Sequence, residues 1–184
     1  IVNNEDLRIR PSAVESFYGC SYAWGKTFLE GVRGHAASRS SIGTSIHAGV
    51  ENMWQSAIKS GKVDANLGEM TDAAMEAWKE EAHDGMSYNK DENEASCARE
   101  IVAGTEAFVE DIVPFTPIPK AVEEFYKIDI TENAFVKELG GTVDYNSDDT
   151  IADVKTSKRK SNAEKHTVQQ TIYTMLAQAN GVDV

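Results

Sequence analysis

Apolar residues recur at helical spacing through the first 113 residues, and the pattern then changes to alternation. Val14, Phe17, Tyr18 and Tyr22 offer an apolar face for burial and predict a helix over residues 13–29. Pro11 precedes it, and Ser12 with Glu15 three residues later has the form of a capping box. Residues 31–41 are rich in Gly and Ser and read as a loop. A second helix is predicted over 44–59, ending near Gly61. Met70, Ala74, Trp78 and Ala82 recur every fourth residue and predict a third over 69–82. After a polar loop at 85–93 comes a fourth helix over 94–111, and Pro114, Pro117 and Pro119 stop helix formation. Trp24, Trp54 and Trp78 read as core at this spacing, with stacking on single-stranded bases as the alternative.

Residues 122–130 alternate through Tyr126, Ile128 and Ile130 and predict a strand. Residues 135–145 predict a second, with Gly140-Gly141 as a bend or close-approach point. A turn at 146–149 leads to a third over 150–155, and Asn162 can cap a last helix over 163–179. Gly181 to Val184 reads as the first step of a further strand. The fold class is therefore α/β: a three-stranded meander, a helix and a further strand, preceded by an N-terminal helical part. With roughly 100–200 residues per domain, 184 residues make one domain, 1–184, with a mostly helical part over 1–113 and an α/β core over 120–184. The chain starts without Met and stops where a strand would begin, so it is expected to continue past Val184.

Composition, at 41% hydrophobic and 26% charged, excludes a disordered or fibrous chain. No apolar run approaches the ~18 residues of a membrane span. Cys20 and Cys97 are too few for a disulfide framework, which points to a reducing compartment, the cytoplasm of a bacterial or phage-infected cell. The net charge of -12 argues on its face against nucleic acid, but it is uneven. Residues 64–111 hold fourteen acids and three bases, while 155–166 hold five bases and one acid. Both stretches also fit plain solvated faces.

The densest chemistry lies in Asp144, Asp153 and Lys155. Two strands joined by the 146–149 turn would set Asp144 beside Asp153, and two such carboxylates can share a hard cation such as Mg²⁺. Asp153 and Lys155, two apart on one strand, would face the same side. An ammonium there can orient a nucleophilic water and offset charge on a phosphate. Read alone, the same residues fit strand-edge acids and a surface lysine. Gly43 followed by His47 and Glu51 would start a helix with the last two on one face, where His47 reaches a metal or phosphate or is a half-buried histidine. Gln169 and Tyr173 share a face of the last helix, as a site pair or as a polar position beside a core tyrosine. Glu123 or Glu124, at the start of the first strand, can add a further acid.

In this order, Ser12…Phe17…Cys20, Gly43…His47, Glu123 or Glu124, Gly141-Thr142-Val143-Asp144, Asp153-Val154-Lys155-Thr156 and Gln169…Tyr173 resemble the RecB-like branch of the PD-(D/E)XK nuclease superfamily, near the phage recombination exonucleases. The resemblance spans residues 11–177. It implies a restriction-endonuclease-like core and metal-dependent hydrolysis of DNA. Asp144 and Asp153 would be metal ligands for Mg²⁺ or Mn²⁺, Lys155 the catalytic lysine, and His47 a further ligand or phosphate contact. Glu123 is preferred over Glu124 because it directly follows Val122. Gln169 and Tyr173 would support the site or the DNA strand, and Lys158, Arg159 and Lys160 would contact the backbone. Relatives with an iron–sulfur cluster use one Cys near the place of Cys20 and three near the C-terminus. Residues 1–184 hold only Cys20 and Cys97, so a cluster is not expected on them and Cys20 reads as a buried apolar residue; cysteines past Val184 would reopen the question. The implied role is an exonuclease in recombination or repair, phage-encoded, with a homo-oligomer or a recombination protein as partner. The alternative is a silent domain of the same fold that binds DNA or a protein.

Overall fold

A computed structural model of the chain describes residues 7–32, 34–83, 85–132, 135–157 and 163–184. In chain order its elements are β1 (Leu7–Ile9), α1 (Pro11–Gly19), α2 (Ser21–Phe28), β2 (Ala36–Ala37), α3 (Ser38–Ser60), α4 (Leu67–Ala82), β3 (Met86–Ser87), α5 (Glu94–Asp111), β4 (Glu124–Asp129), β5 (Val136–Val143), β6 (Tyr145–Asn146), β7 (Ile151–Ala152) and α6 (Thr167–Ala179). This is a mixed α/β protein with a small sheet and six helices. No described helix is long and apolar enough to cross a membrane. The elements divide between two units: Ile1–Gly34, Glu123–Asp153 and Arg159–Val184 form the first, and His35–Val122 with Val154–Lys158 the second, as far as these are described.

In the first unit the sheet order is β1-β5-β4. β4 runs antiparallel to β5 from Glu124↔Val143 to Asp129↔Glu138, and β1 runs parallel to β5. Alternation sends Tyr126 and Val143 inward, where α6 covers them with Tyr173, Leu176 and Ala177, while Phe125 and Lys127 face out. β6 and β7 form a separate two-stranded ribbon.

Several expectations change here. β1 is only three residues long, too short to show a period. The single helix over 13–29 is two, broken at Cys20, whose backbone is extended with φ -160°. The capping box does not form: Arg10 is the N-cap and Pro11 occupies the first turn. Phe17, Tyr18 and Tyr22 are exposed, Tyr18 at 81%, because α1 turns Pro11 and Ala13 to the sheet instead. Cys20 is likewise exposed, not buried, since it sits at the break. The third strand shrinks to β7, because β6 offers only two residues to pair with. Gly181 to Val184 forms no strand. Asn162, the expected cap of the last helix, lies outside the described residues, and the helix begins with a 3-10 turn at Ala163–His166.

The second unit packs α3, α4 and α5 around Trp54, Trp78, Met70 and Ile101, all nearly fully buried. α5 spans 94–111 as its pattern predicts, capped by Asn93, whose side chain accepts from Ser96 N at 2.9 Å. α3 starts six residues before the expected position, and Gly43 lies inside it. The Ser-rich stretch is helical because distant acids bind it. Ser38 Oγ donates to Glu92 at 2.5 Å, Arg39 makes two 2.6 Å bonds to Glu100, and Ser41 Oγ donates to Glu81 at 3.0 Å. Gly49 lets α4 approach: a Cβ there would lie 2.7 Å from the Met70 carbonyl oxygen. Gly61, with φ +69°, ends α3 in the left-handed conformation.

The Ser38 hydroxyl, with the Asn89 amide and Arg39, lowers the Glu92 carboxyl from 4.5 to about 2. A depressed carboxyl contributes stability above its unfolded pKa and loses it as pH falls toward the folded value. The melting temperature should therefore fall between roughly pH 5 and pH 2, and less steeply in Glu92→Gln. Parallel melting curves for the two proteins across that range would contradict this role for Glu92.

Candidate active site

β5 ends in Gly140-Gly141-Thr142-Val143, and the second glycine is where the neighbouring elements come closest. A Cβ on Gly141 would lie 2.7 Å from Pro11 Cδ and 2.9 Å from Tyr173 Cε1. Without that atom, the first turn of α1 and the middle of α6 both press on the strand. Gln169 and Tyr173 lie one turn apart on α6, both buried, and Gln169 Nε2 donates to Tyr173 Oη at 3.4 Å.

The charges of three carboxylates reach that phenol. Burial raises the Tyr173 pKa most, and the charges of Asp153, Asp144 and Glu123 raise it further, against the Gln169 hydrogen bond. Asp144 leaves β5 and Asp153 follows β7. The ribbon register, Tyr145↔Ala152 and Asn146↔Ile151, sets 144 opposite 153 one step past its last rung. Ser147 N donating to Thr150 O at 2.8 Å closes the turn at the other end. Glu123 and Asp144 each bring a carboxylate oxygen within 4.8 Å of the other. Oxygens at that separation fit two hard ligands of one divalent cation. Glu123 has a left-handed backbone, φ 50°, a conformation rare for a residue with a side chain and often found at functional sites.

The two candidate glutamates thus have different surroundings. Glu124 opens β4 and accepts from Tyr126 Oη and from Asn146 Nδ2, the latter at 2.8 Å. Asn146 Nδ2 also donates to Tyr126 Oη at 2.7 Å. Burial, then Glu124, pushes the Tyr126 hydroxyl well above its ordinary value. The sequence places Asn146 in a turn and does not reveal this network. Its one signal was Tyr126 on the inward phase of the alternation.

Asp153 and Lys155 do not share a strand, because the ladder ends at Ala152. Lys155 is exposed and Asp153 half-buried. In the second unit, Thr156 Oγ1 lies 2.9 Å from where a Gly43 Cβ would be, so Gly43 makes room for the chain beyond Lys155 and does not mark a helix start. His47 lies one turn further along α3 and is half-buried. Glu51, on the same face, accepts from Gln55 at 2.6 Å. Trp54 and Trp78 are core, while Trp24 lies between Phe17 and Phe28 in the first unit. Lys158, Arg159 and Lys160 lie outside the described residues.

A family model described as PD-(D/E)XK nuclease superfamily matches residues 8–183. Comparison with the curated proteins and with the solved structures gives no match.

Asn146 ties β6 to the start of β4 through the buried Tyr126 and the half-buried Glu124. Asn146→Ala leaves the Tyr126 hydroxyl and Glu124 with one bond between them and should cost about 1–3 kcal/mol. Urea unfolding reads this directly, and a loss below about 0.5 kcal/mol, the range of an ordinary surface substitution, would rule the network out as a stabilising element.

Proposed function

Because the chain belongs to the PD-(D/E)XK nuclease superfamily, whose members are metal-dependent nucleases, we propose that it hydrolyses DNA phosphodiester bonds at the carboxylates whose charges reach Tyr173. One observation carries this reading: Glu123 and Asp144 place carboxylate oxygens within 4.8 Å of each other, and the ribbon register sets Asp153 opposite Asp144. Carboxylate oxygens are the donors that Mg²⁺ and Mn²⁺ prefer, so the residues present fit such an ion. Asp144, Asp153 and Glu123 would hold it. His47 is assigned as a further ligand or phosphate contact from its place in the ordered motif set, four residues after Gly43.

A bound divalent ion supplies Lewis-acid polarisation of the phosphate and makes water more acidic. The chain's own groups do the rest. Lys155 steers the attacking water and offsets charge on the phosphate. Water adds to phosphorus, the phosphorus–oxygen bond to the leaving nucleotide breaks, and that oxygen takes up a proton. Gln169 donates to the Tyr173 hydroxyl at 3.4 Å and fixes its place beside β5. Lys158, Arg159 and Lys160 are assigned to the DNA backbone. An exonuclease of recombination or repair in the RecB-like branch, encoded by a phage, is the role we favour, supported by the ordered motifs from Ser12 to Tyr173.

Asp153→Asn and Lys155→Ala should each lower cleavage about 10²-fold or more with an unchanged circular dichroism spectrum. Turnover of a labelled duplex should need Mg²⁺ or Mn²⁺, stop in EDTA, and not be supported by Ca²⁺. Wild-type rates in either variant, or in excess EDTA, would defeat the assignment.

The basic run generates a separate expectation. Each phosphate contact contributes a salt slope of about -0.7 for single strands or -0.9 for duplex. Replacing Lys158, Arg159 and Lys160 with Ala should flatten the dependence of affinity on salt by roughly two to three units, measured in Ca²⁺. An unchanged slope would put the DNA path elsewhere.

A further inference from the structure

The first unit has a concavity opposite in character to the acids, joined to them through Tyr173 and β5. A pocket of about 380 Å³ is lined by Arg8, Arg10, Ser12, Phe125, Thr142 and Tyr173, with no carboxylate among its lining residues. We propose that this pocket binds a phosphate group of the nucleic-acid substrate other than the one being cleaved. The inference rests on the nuclease reading above and deepens it.

The lining chemistry supports an oxyanion. Two guanidiniums and the hydroxyls of Ser12, Thr142 and Tyr173 belong to its lining, all hydrogen-bond donors suited to phosphate oxygens. Arg8 is held in place before any ligand arrives: its Nε pairs with Glu138, and its guanidinium lies 5.1 Å from the centroid of the Phe125 ring. Ordering that side chain on binding therefore costs little. Glu138 offsets the charge of Arg8, whereas Arg10 makes no side-chain ion pair among the described residues and supplies the surplus positive charge. Residues 7–34 hold four Arg or Lys against two Glu in a chain whose net charge is -12. A polyanion approaching such a chain needs local cations.

Position makes the pocket part of a substrate path. Tyr173 belongs to the pocket wall and is reached by the charges of the acids, and Thr142 precedes Asp144 by two residues. A strand whose scissile phosphate lies at the acids has another phosphate within reach of the arginines. The pocket also has room for the sugar attached to it. The acids repel a phosphate and the arginines attract one, so a strand is held in register only where both demands are met.

The test uses the full chain and Arg10→Ala, an exposed position whose loss leaves the sheet and the Arg8–Glu138 pair intact. Three oligonucleotides of one sequence carry a 5′-phosphate, a 3′-phosphate or hydroxyls at both ends. Their affinities are measured in Ca²⁺ by fluorescence anisotropy, with inorganic phosphate as competitor, and their cleavage kinetics in Mn²⁺. Arg10→Ala should weaken binding about tenfold or more, as expected for a lost bond to a charged group. It should weaken inorganic phosphate as a competitor to the same degree and raise KM with kcat within about threefold. Arg10→Lys should recover part of the loss. A preference for one phosphorylated end that disappears in Arg10→Ala identifies a terminal phosphate, and an equal loss on all three identifies an internal diester. Unchanged affinity and unchanged phosphate competition in Arg10→Ala overturn the proposal. Absence of cleavage by the wild type would instead refute the nuclease reading, and the binding measurements would still decide the pocket.

Discussion

The first unit depends on one close approach, that of Pro11 and Tyr173 to the backbone of Gly141. Any side chain there would fall within 3 Å of both. Three consequences share this origin. Pro11 is seated on β5, which sets the direction of α1 and leaves Arg8, Arg10 and Ser12 beside Thr142. α6 is drawn in at Tyr173, which aligns Leu176 and Ala177 over Tyr126 and Val143. The strand then exits at Asp144, directly past the packed layer. A methyl group added at Gly141 would loosen core, acid cluster and pocket together, because interiors this dense do not yield by small amounts.

The second unit is organised by charge more than its composition suggests. Many of the acids in residues 64–111 fit a solvated face, but Glu81, Glu92 and Glu100 are partners of α3. Arg39 is the hub: its guanidinium meets Glu100 with two bonds and Glu92 with one, and the Glu100 bond is the largest of the effects that hold its proton more firmly. Two-pronged pairing of this kind fixes geometry as well as contributing energy. The result is a helix of 23 residues whose first turn is anchored at a distance instead of by a local cap.

How much of this was legible varies with how local the cause is. The bounds of α5 follow from Asn93 and Pro114 and match the pattern, and the alternation around Tyr126 marks β4 to within two residues at its start. Where the cause is distant, the pattern misleads. Ser38 to Ser41 look like loop residues until Glu81 and Glu92 are beside them. Gly43 looks like a helix start until Thr156 is seen against it. Tyr18 looks buried because its spacing is helical, yet the helix breaks at Cys20 and Tyr18 is exposed. At the candidate site, the order of Asp144, Asp153, Gln169 and Tyr173 was readable because each lies near a recognisable turn or on one helix face. The Glu124–Tyr126–Asn146 network and the arginine pocket were not, since both join residues from separate strands.

The ribbon that carries Asp144 and Asp153 has only two rungs, and its open end holds like charges facing each other. Such a ladder is a weak spring under load. A cation held by both carboxylates would favour closure of the ribbon that carries them. Occupancy of the acids and zippering of β6 onto β7 are therefore linked equilibria, each shifting the other by the same free energy. In mechanical terms the ribbon is a clasp that its own cargo fastens, and the amides of Tyr145 to Ala152 are the reporters that would record its opening.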